Sequence, residues 1–185
     1  MSFNILIATI GRPSLQRILD SLVDQLEQQD CLTIVFDGIS SVPEIFDTSH
    51  FKCKVVQYCE PIALGSWGHG IRNKYATLLD KRDFIMHADD DDIYLPGVFS
   101  ELREQCVNPQ TIYIAKIYLS IHQRNIPGGH FIRFGHIGTP NGIIPYNLNS
   151  MGQWGPDLGG DGEFYLALTK FATSIEFLET IIYRV

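Results

Sequence analysis

The sequence has no CxxC pair, no block of basic residues and no apolar run long enough to span a bilayer. Each absence excludes something. Cys31, Cys53, Cys59 and Cys106 follow no zinc-finger spacing, so they are expected to be reduced thiols. The net charge of −7 with no basic cluster argues against a nucleic-acid surface. The chain enters "FNILIAT" at once, without a basic leader or cleavage site, and position 2 is Ser, so no myristoylation pattern is present. With no apolar run of about 20 residues there is no membrane span, and a cytoplasmic protein is expected.

What is present is a globular composition, 45% hydrophobic and 19% charged over 185 residues. That suits one domain over residues 1–185, and an end directly after a strand is consistent with a domain cut from a longer protein. "FNILIAT" (3–9), "LTIVFD" (32–37), "CKVVQYC" (53–59) and "DFIMHA" (83–88) read as strands. "RPSLQRILDSLVDQLEQQ" (12–29) reads as a helix, since Leu15, Ile18, Leu19, Leu22, Val23 and Leu26 recur at helical spacing behind Pro13. A second helix is expected over about 70–81, with Ile71, Tyr75, Leu78 and Leu79 turned inward. The order β-α-β-β-α-β favours an α/β sandwich with a largely parallel sheet.

Further on, 97–106 reads as a short helix, 111–121 and 130–137 as strands, and 138–160 as a long loop rich in Gly, Pro and Asn. A helix over 161–172 and a strand over 174–185 close the chain. "GSWGHG" (65–70) does not follow the first strand in a dinucleotide-loop arrangement and is set aside. His69, His87, His122, His130 and His136 form no metal-binding pair, and an ordinary structural role is expected for each.

The densest chemistry is "HADDDDIYLPG" (87–97), four consecutive carboxylates at the C-terminal end of a central strand. Open α/β sheets place their ligands there. Two carboxylates about 4 Å apart repel by roughly 4 kcal/mol at an effective dielectric near 20. The run is either a solvated acidic turn or a site for a hard cation such as Mg²⁺ or Mn²⁺.

The sequence resembles the nucleotide-sugar glycosyltransferases of the GT-A fold, in particular the inverting family 2. The residues that carry this are "ATIGRPS" (8–14), "VFDG" (35–38), "GIRNKYATLLDKRDFIMHADDDDIYLPG" (70–97), "GGDGEFYLAL" (159–168) and "FLETIIYR" (177–184), in that order. The resemblance implies a Rossmann-like three-layer sandwich with a mainly parallel central sheet. It also implies transfer of a hexose from a nucleotide sugar, with a UDP-sugar favoured, to the hydroxyl of a carbohydrate or other acceptor, with inversion and with Mn²⁺ or Mg²⁺.

By the same resemblance Asp91 is the best metal ligand. Asp89 and Asp90 are candidates for a second contact to metal, water or ribose. Thr9 and Arg12 would line the nucleoside pocket, with a turn cap and a surface charge as their ordinary alternatives. Asp37 would accept a hydrogen bond from uracil, or simply close a turn. Arg72 and Asn73 match an "RN" pair that supports the aspartates or reaches the diphosphate. Asp161 is the expected base, with Glu163 as the alternative. Gly160 stands where the usual acidic pair has its first acid, and a plain helix N-terminus is the competing reading. Trp154 is either a face for a sugar or a loop anchor. A sugar-nucleotide nucleotidyltransferase is disfavoured, because "ATIGRPSLQR" has one Gly and no Lys for a triphosphate. A non-catalytic carbohydrate- or nucleotide-binding domain is the third alternative.

Overall fold

The computed structural model describes all 185 residues. β1 (Phe3–Thr9) and β2 (Cys31–Asp37) are buried along their whole length, as near-continuous apolar runs require when both sheet faces are covered. With β3 (Lys54–Glu60) and β4 (Phe84–Asp89) they form an unbroken parallel array, β3-β2-β1-β4. The rest of the chain extends this sheet with β5 (Ile93–Tyr94), β6 (Thr111–Leu119), β8 (Gly142–Pro145) and β9 (Ser174–Arg184). The order is β3-β2-β1-β4-β8-β6-β9-β5, and β7 (Arg124–Ile126) pairs with β6. β8 is antiparallel to both its neighbours, and β9 is parallel to β6. The main strands therefore share one direction, and β5, β7 and β8 oppose it.

Side-chain alternation assigns the two faces. Ile5 and Ile7 of β1 and Met86 and Ala88 of β4 face a core shared with α1 (Leu15–Leu22) and α3 (Val98–Gln105). The alternate residues Leu6, Ala8, Val35 and Ile85 pack against Ile71 and Tyr75 of α2 (His69–Tyr75). Ile112, Ile114 and Ile144 pack against Phe164 and Leu168 of α5 (Gly160–Leu168). Helices thus cover both faces of the sheet. No helix is long and apolar enough to cross a membrane.

Four sequence expectations need correction. The first helix stops at Leu22, although Leu26 is still buried. Buried Asp30 diverts the chain: its carboxylate accepts the N–H of Glu27 at 2.8 Å and of Phe3 at 2.9 Å and pairs with Arg103. The second helix stops at Tyr75, which leaves Leu78 54% exposed where an inward residue was expected.

No strand forms over 130–137. The free edge of β6 is taken by β7, with Ile117 opposite Ile126. Phe134 instead leans on the start of α5, where a Cβ on Gly159 would lie 2.5 Å from its ring. The fourth correction is the loop of 138–160, which holds α4 (Tyr146–Asn149) and β8, a strand in the middle of the sheet. β8 is fixed at Gly142, whose N–H donates to the Tyr165 hydroxyl at 2.9 Å. A Cβ there would sit 2.5 Å from the Tyr165 ring, so only glycine allows this approach.

Candidate active site

The C-terminal ends of β1, β2 and β4 open into a cleft of about 480 Å³. Its walls include Thr9, Arg12, Asp37, Asp89, Asp90, Asp91 and Asp161. Seven of the eleven residues singled out in the sequence therefore converge on one space. Arg72, Asn73, Trp154 and Glu163 do not line it.

The aspartate run is held by its main chain as well as its side chains. The Tyr183 hydroxyl accepts the Asp89 N–H at 3.1 Å and donates to the Asp89 carbonyl at 3.0 Å. Asp90 is buried and accepts the Thr9 hydroxyl at 2.5 Å. That bond ties the end of β1 to the end of β4. Burial pushes the Asp90 carboxyl up, against the opposing pull of Thr9 and Arg12. Arg12 Nη1 lies 2.5 Å from Asp91 Oδ2 and 3.5 Å from Asp90 Oδ1. Asp92 is pushed up to about 7 by burial and by the three neighbouring carboxylates, with Arg17 opposing.

Arg72 is fully buried beneath the run. It donates to the Asp89 carboxylate at 2.6 Å, to the Ala88 carbonyl at 3.1 Å and to the Trp67 carbonyl at 2.9 Å. Its role is therefore to support the aspartates from behind. Gly68, at φ +82, makes room for this arrangement: a Cβ there would lie 2.8 Å from Ala8 and 2.9 Å from the guanidinium.

Asn73 faces the loop before α5. Its amide donates to the Trp154 carbonyl and accepts the Trp154 N–H, both at 2.9 Å. The sugar-face reading of Trp154 is corrected. The residue is 3% exposed and its ring stacks on Phe164 at 4.2 Å, with Arg72 over it at 5.1 Å. It anchors the loop.

Asp161 sits in the first turn of α5 and accepts the Gly162 N–H at 2.8 Å. Burial raises its carboxyl above the usual carboxylate range, opposed by that hydrogen bond and by His69. Glu163 is exposed outside the cleft lining, against Gly155. Asp37 has one oxygen taken by the Leu64 N–H at 2.6 Å and the other by the Gly65 N–H at 2.8 Å. It lines the cleft, and each oxygen retains a second lone pair.

Among the cleft residues that were missed, two stand out. His69 is buried, bonds the Gly155 carbonyl through Nδ1 at 2.7 Å, and is held below the ordinary imidazole range chiefly by burial. Trp67 lines the cleft with 64% of its surface exposed. Both lie in "GSWGHG". A large aromatic between glycines was the available signal.

No group of three or more His, Cys, Asp or Glu side chains is placed to hold a metal unaided. The donor set nonetheless fits a hard cation that takes its remaining ligands from phosphate and water. Asp89 and Asp91 are 35% and 50% exposed, and each has only one oxygen engaged, by Arg72 and Arg12 respectively.

Neither a protein-family profile nor a curated protein sequence matches the chain. Solved structures do. TarS of S. aureus, residues 1–349, superposes with a TM-score of 0.72 at 16% identity, covering 100% of this chain and 60% of that one. The same protein in complex with UDP gives 0.70 at 16% identity, with the same coverage. HddC from Yersinia pseudotuberculosis gives 0.59 at 16% identity, covering 98% of this chain and 91% of that one. The chain thus shares the fold of these structures. The present chain spans 60% of the length of the TarS chain it matches.

Proposed function

We propose that the protein is a nucleotide-sugar glycosyltransferase of the inverting, family 2-like kind, with the three-layer sandwich of that fold, acting on a UDP-sugar. The observation that carries this reading is the meeting of Asp89, Asp90 and Asp91 with Asp161 in one cleft. UDP is the ligand of the TarS complex, and its nucleoside would lie against Thr9 and Asp37. Asp91 and Asp89 would hold Mn²⁺ or Mg²⁺, which when bound supplies positive charge against the diphosphate.

The chain's own residues account for the rest. Arg72 and Tyr183 fix the aspartate loop, and Arg12 adds a cation at the mouth. The Asp161 carboxylate takes the proton from a hydroxyl of the carbohydrate or other acceptor of the hexose. That oxygen forms a bond to the anomeric carbon as the carbon–oxygen bond to the diphosphate breaks, and UDP leaves with the electron pair. A carboxyl raised by burial is better matched to this task near neutral pH than an ordinary one.

Asp161→Asn tests the assignment. It should bind UDP with Mn²⁺ as the wild type does and lose about 10²–10⁴-fold in transfer from a UDP-sugar. Transfer at the wild-type rate would remove Asp161 as the base, and a product that keeps the donor's anomeric configuration would remove the inverting mechanism.

A further inference from the structure

We propose that Trp67 is an aromatic platform on which the nucleobase of the donor stacks; this rests on the reading of the cleft as a nucleotide-sugar site. Three large apolar residues line the cleft while staying exposed: Ile10 at 59%, Trp67 at 64% and Leu158 at 76%. Trp67 alone offers a flat ring. Its backbone is also unusual. Ser66 and Trp67 both have positive φ, 54° and 51°, a conformation that bulky residues rarely adopt. Such strain persists only where the surroundings over-determine it, and it clusters at ligand sites.

The surroundings here are named. Asp37 grips the amides of Leu64 and Gly65 just before the turn. Buried Arg72 grips the Trp67 carbonyl just after it. The turn also closes on itself, as the Gly68 N–H donates to the Gly65 carbonyl at 3.2 Å. The chain is thus pinned so that an indole ring stands in the cleft, where folding into the core would have buried it.

Place decides the occupant. The turn runs from the end of β2, where Gly65 meets Asp37, to the end of β1, where Gly68 packs on Ala8. Asp161 lies at the start of α5 and contributes to the same cleft. Trp67 lies in that turn, two residues after the Gly65 that meets Asp37, and both line the cleft, so a base bound there can meet the carboxylate at a ring edge and the indole at a ring face. Stacking on an aromatic ring is available to every base, so Trp67 supplies affinity and Asp37 supplies choice.

The protein has two tryptophans, and Trp154 is buried, so acrylamide-accessible emission reports on Trp67. UDP with Mn²⁺ should quench that emission. Trp67→Ala and Trp67→Asn should each weaken UDP by about tenfold, the order that one stacked base contributes, and leave inorganic pyrophosphate with Mn²⁺ unchanged. Asn tolerates positive φ, so that variant keeps the turn and should melt no lower than the wild type. UDP bound equally by wild type and both variants would overturn the platform and leave the glycosyltransferase reading standing. Pyrophosphate weakened as much as UDP would also overturn it, by showing that Trp67 acts only through Arg72. No binding of UDP to the wild type, with or without Mn²⁺, would overturn both.

Discussion

His87 lies on β4 directly behind the aspartates, and burial sets its charge. It is fully buried, with Nε2 on the Asn149 side-chain Oδ1 at 2.8 Å and no partner at Nδ1. Desolvation, and then the nearby Arg72, hold it down at about 3. The unfolded chain takes up a proton near 6.5, so between 6.5 and 3 the unfolded state binds more protons than the folded one. Stability from this group is complete above about pH 6.5 and is lost as pH falls, at up to about 1.4 kcal/mol per unit. Asp92 acts with the opposite sign: raised to about 7, it contributes stability as pH falls from 7 towards 4. The wild-type profile mixes the two. His87→Gln keeps a donor for Asn149 and does not titrate, so its difference in unfolding free energy from the wild type should change by about 1 kcal/mol between pH 6 and pH 5. Denaturant melts at both pH values give that difference, and a constant offset would mean that His87 is protonated in the folded state. At this scale the sequence was a good guide to charge and a poor one to aromatics. The Asp run announced itself by repulsion that calls for a partner. Trp154, which could have been a sugar face or a loop anchor, is buried, and Trp67, which had been given no role, is exposed, because exposure is decided by the turn that carries a ring and local composition does not reveal it.

α2 is short, yet it joins the two chemical halves of the cleft. Its Arg72 holds Asp89, while Asn73 and His69 hold the backbone of Trp154 and Gly155, ahead of Asp161. Asn73→Ala would leave the Trp154 N–H and carbonyl without their partners, at a cost of about 1–3 kcal/mol. The melting temperature should fall by several degrees, since about 2–4 °C accompanies each kcal/mol in a chain of this size. On the proposed assignment, UDP affinity with Mn²⁺ should stay within about threefold of wild type while turnover drops, because the Asp37 end of the cleft is untouched and Asp161 is displaced. A loss of UDP affinity at unchanged turnover would put Asn73 on the diphosphate side instead. The elements themselves were legible where one physical signal dominated. β1, β2 and β4 were read to within a residue or so, because buried parallel strands are continuous apolar runs, and the half-exposed edge strand β3 was read equally closely from its shorter apolar stretch. β8 was not, as a four-residue strand that begins with Gly and ends with Pro carries no period, and its place depends on Tyr165 meeting Gly142. The first helix was overestimated because its apolar spacing continues through Leu26 while the Asp30 contacts break the backbone pattern.

Across the whole molecule, the sheet gathers charge at the C-terminal ends of its interior strands. β1, β2 and β4 end together, so Asp37, Asp89, Asp90 and Asp91 share a cleft with Asp161, against Arg12 at the mouth. The net charge of −7 adds to the imbalance. The largely parallel sheet was legible in the first half of the chain, but the strand order behind this convergence was not. The antiparallel insertion of β8 between β4 and β6, which brings α5 and Asp161 into place, leaves no trace in hydrophobic periodicity. The imbalance has a thermodynamic consequence. A diphosphate alone meets mostly carboxylates, and a divalent cation alone meets Asp89 and Asp91 partly occupied by arginines. The two together complete each other. A ligand at 100 times its Kd stabilises the folded state by about 2.7 kcal/mol, which for a chain of this length is roughly 5–10 °C. UDP with Mn²⁺ should therefore raise the melting temperature by about that amount, and UDP in EDTA or Mn²⁺ alone by far less than half of it. Asp91→Asn should remove most of the joint gain, since it takes away the more exposed of the two candidate ligands, whereas Asp92→Asn should remove less, its carboxyl being raised by burial beside the others. An equal gain with UDP in EDTA would show that Arg12 and the turn at Trp67 suffice for the diphosphate, and the cation would then drop out of the account.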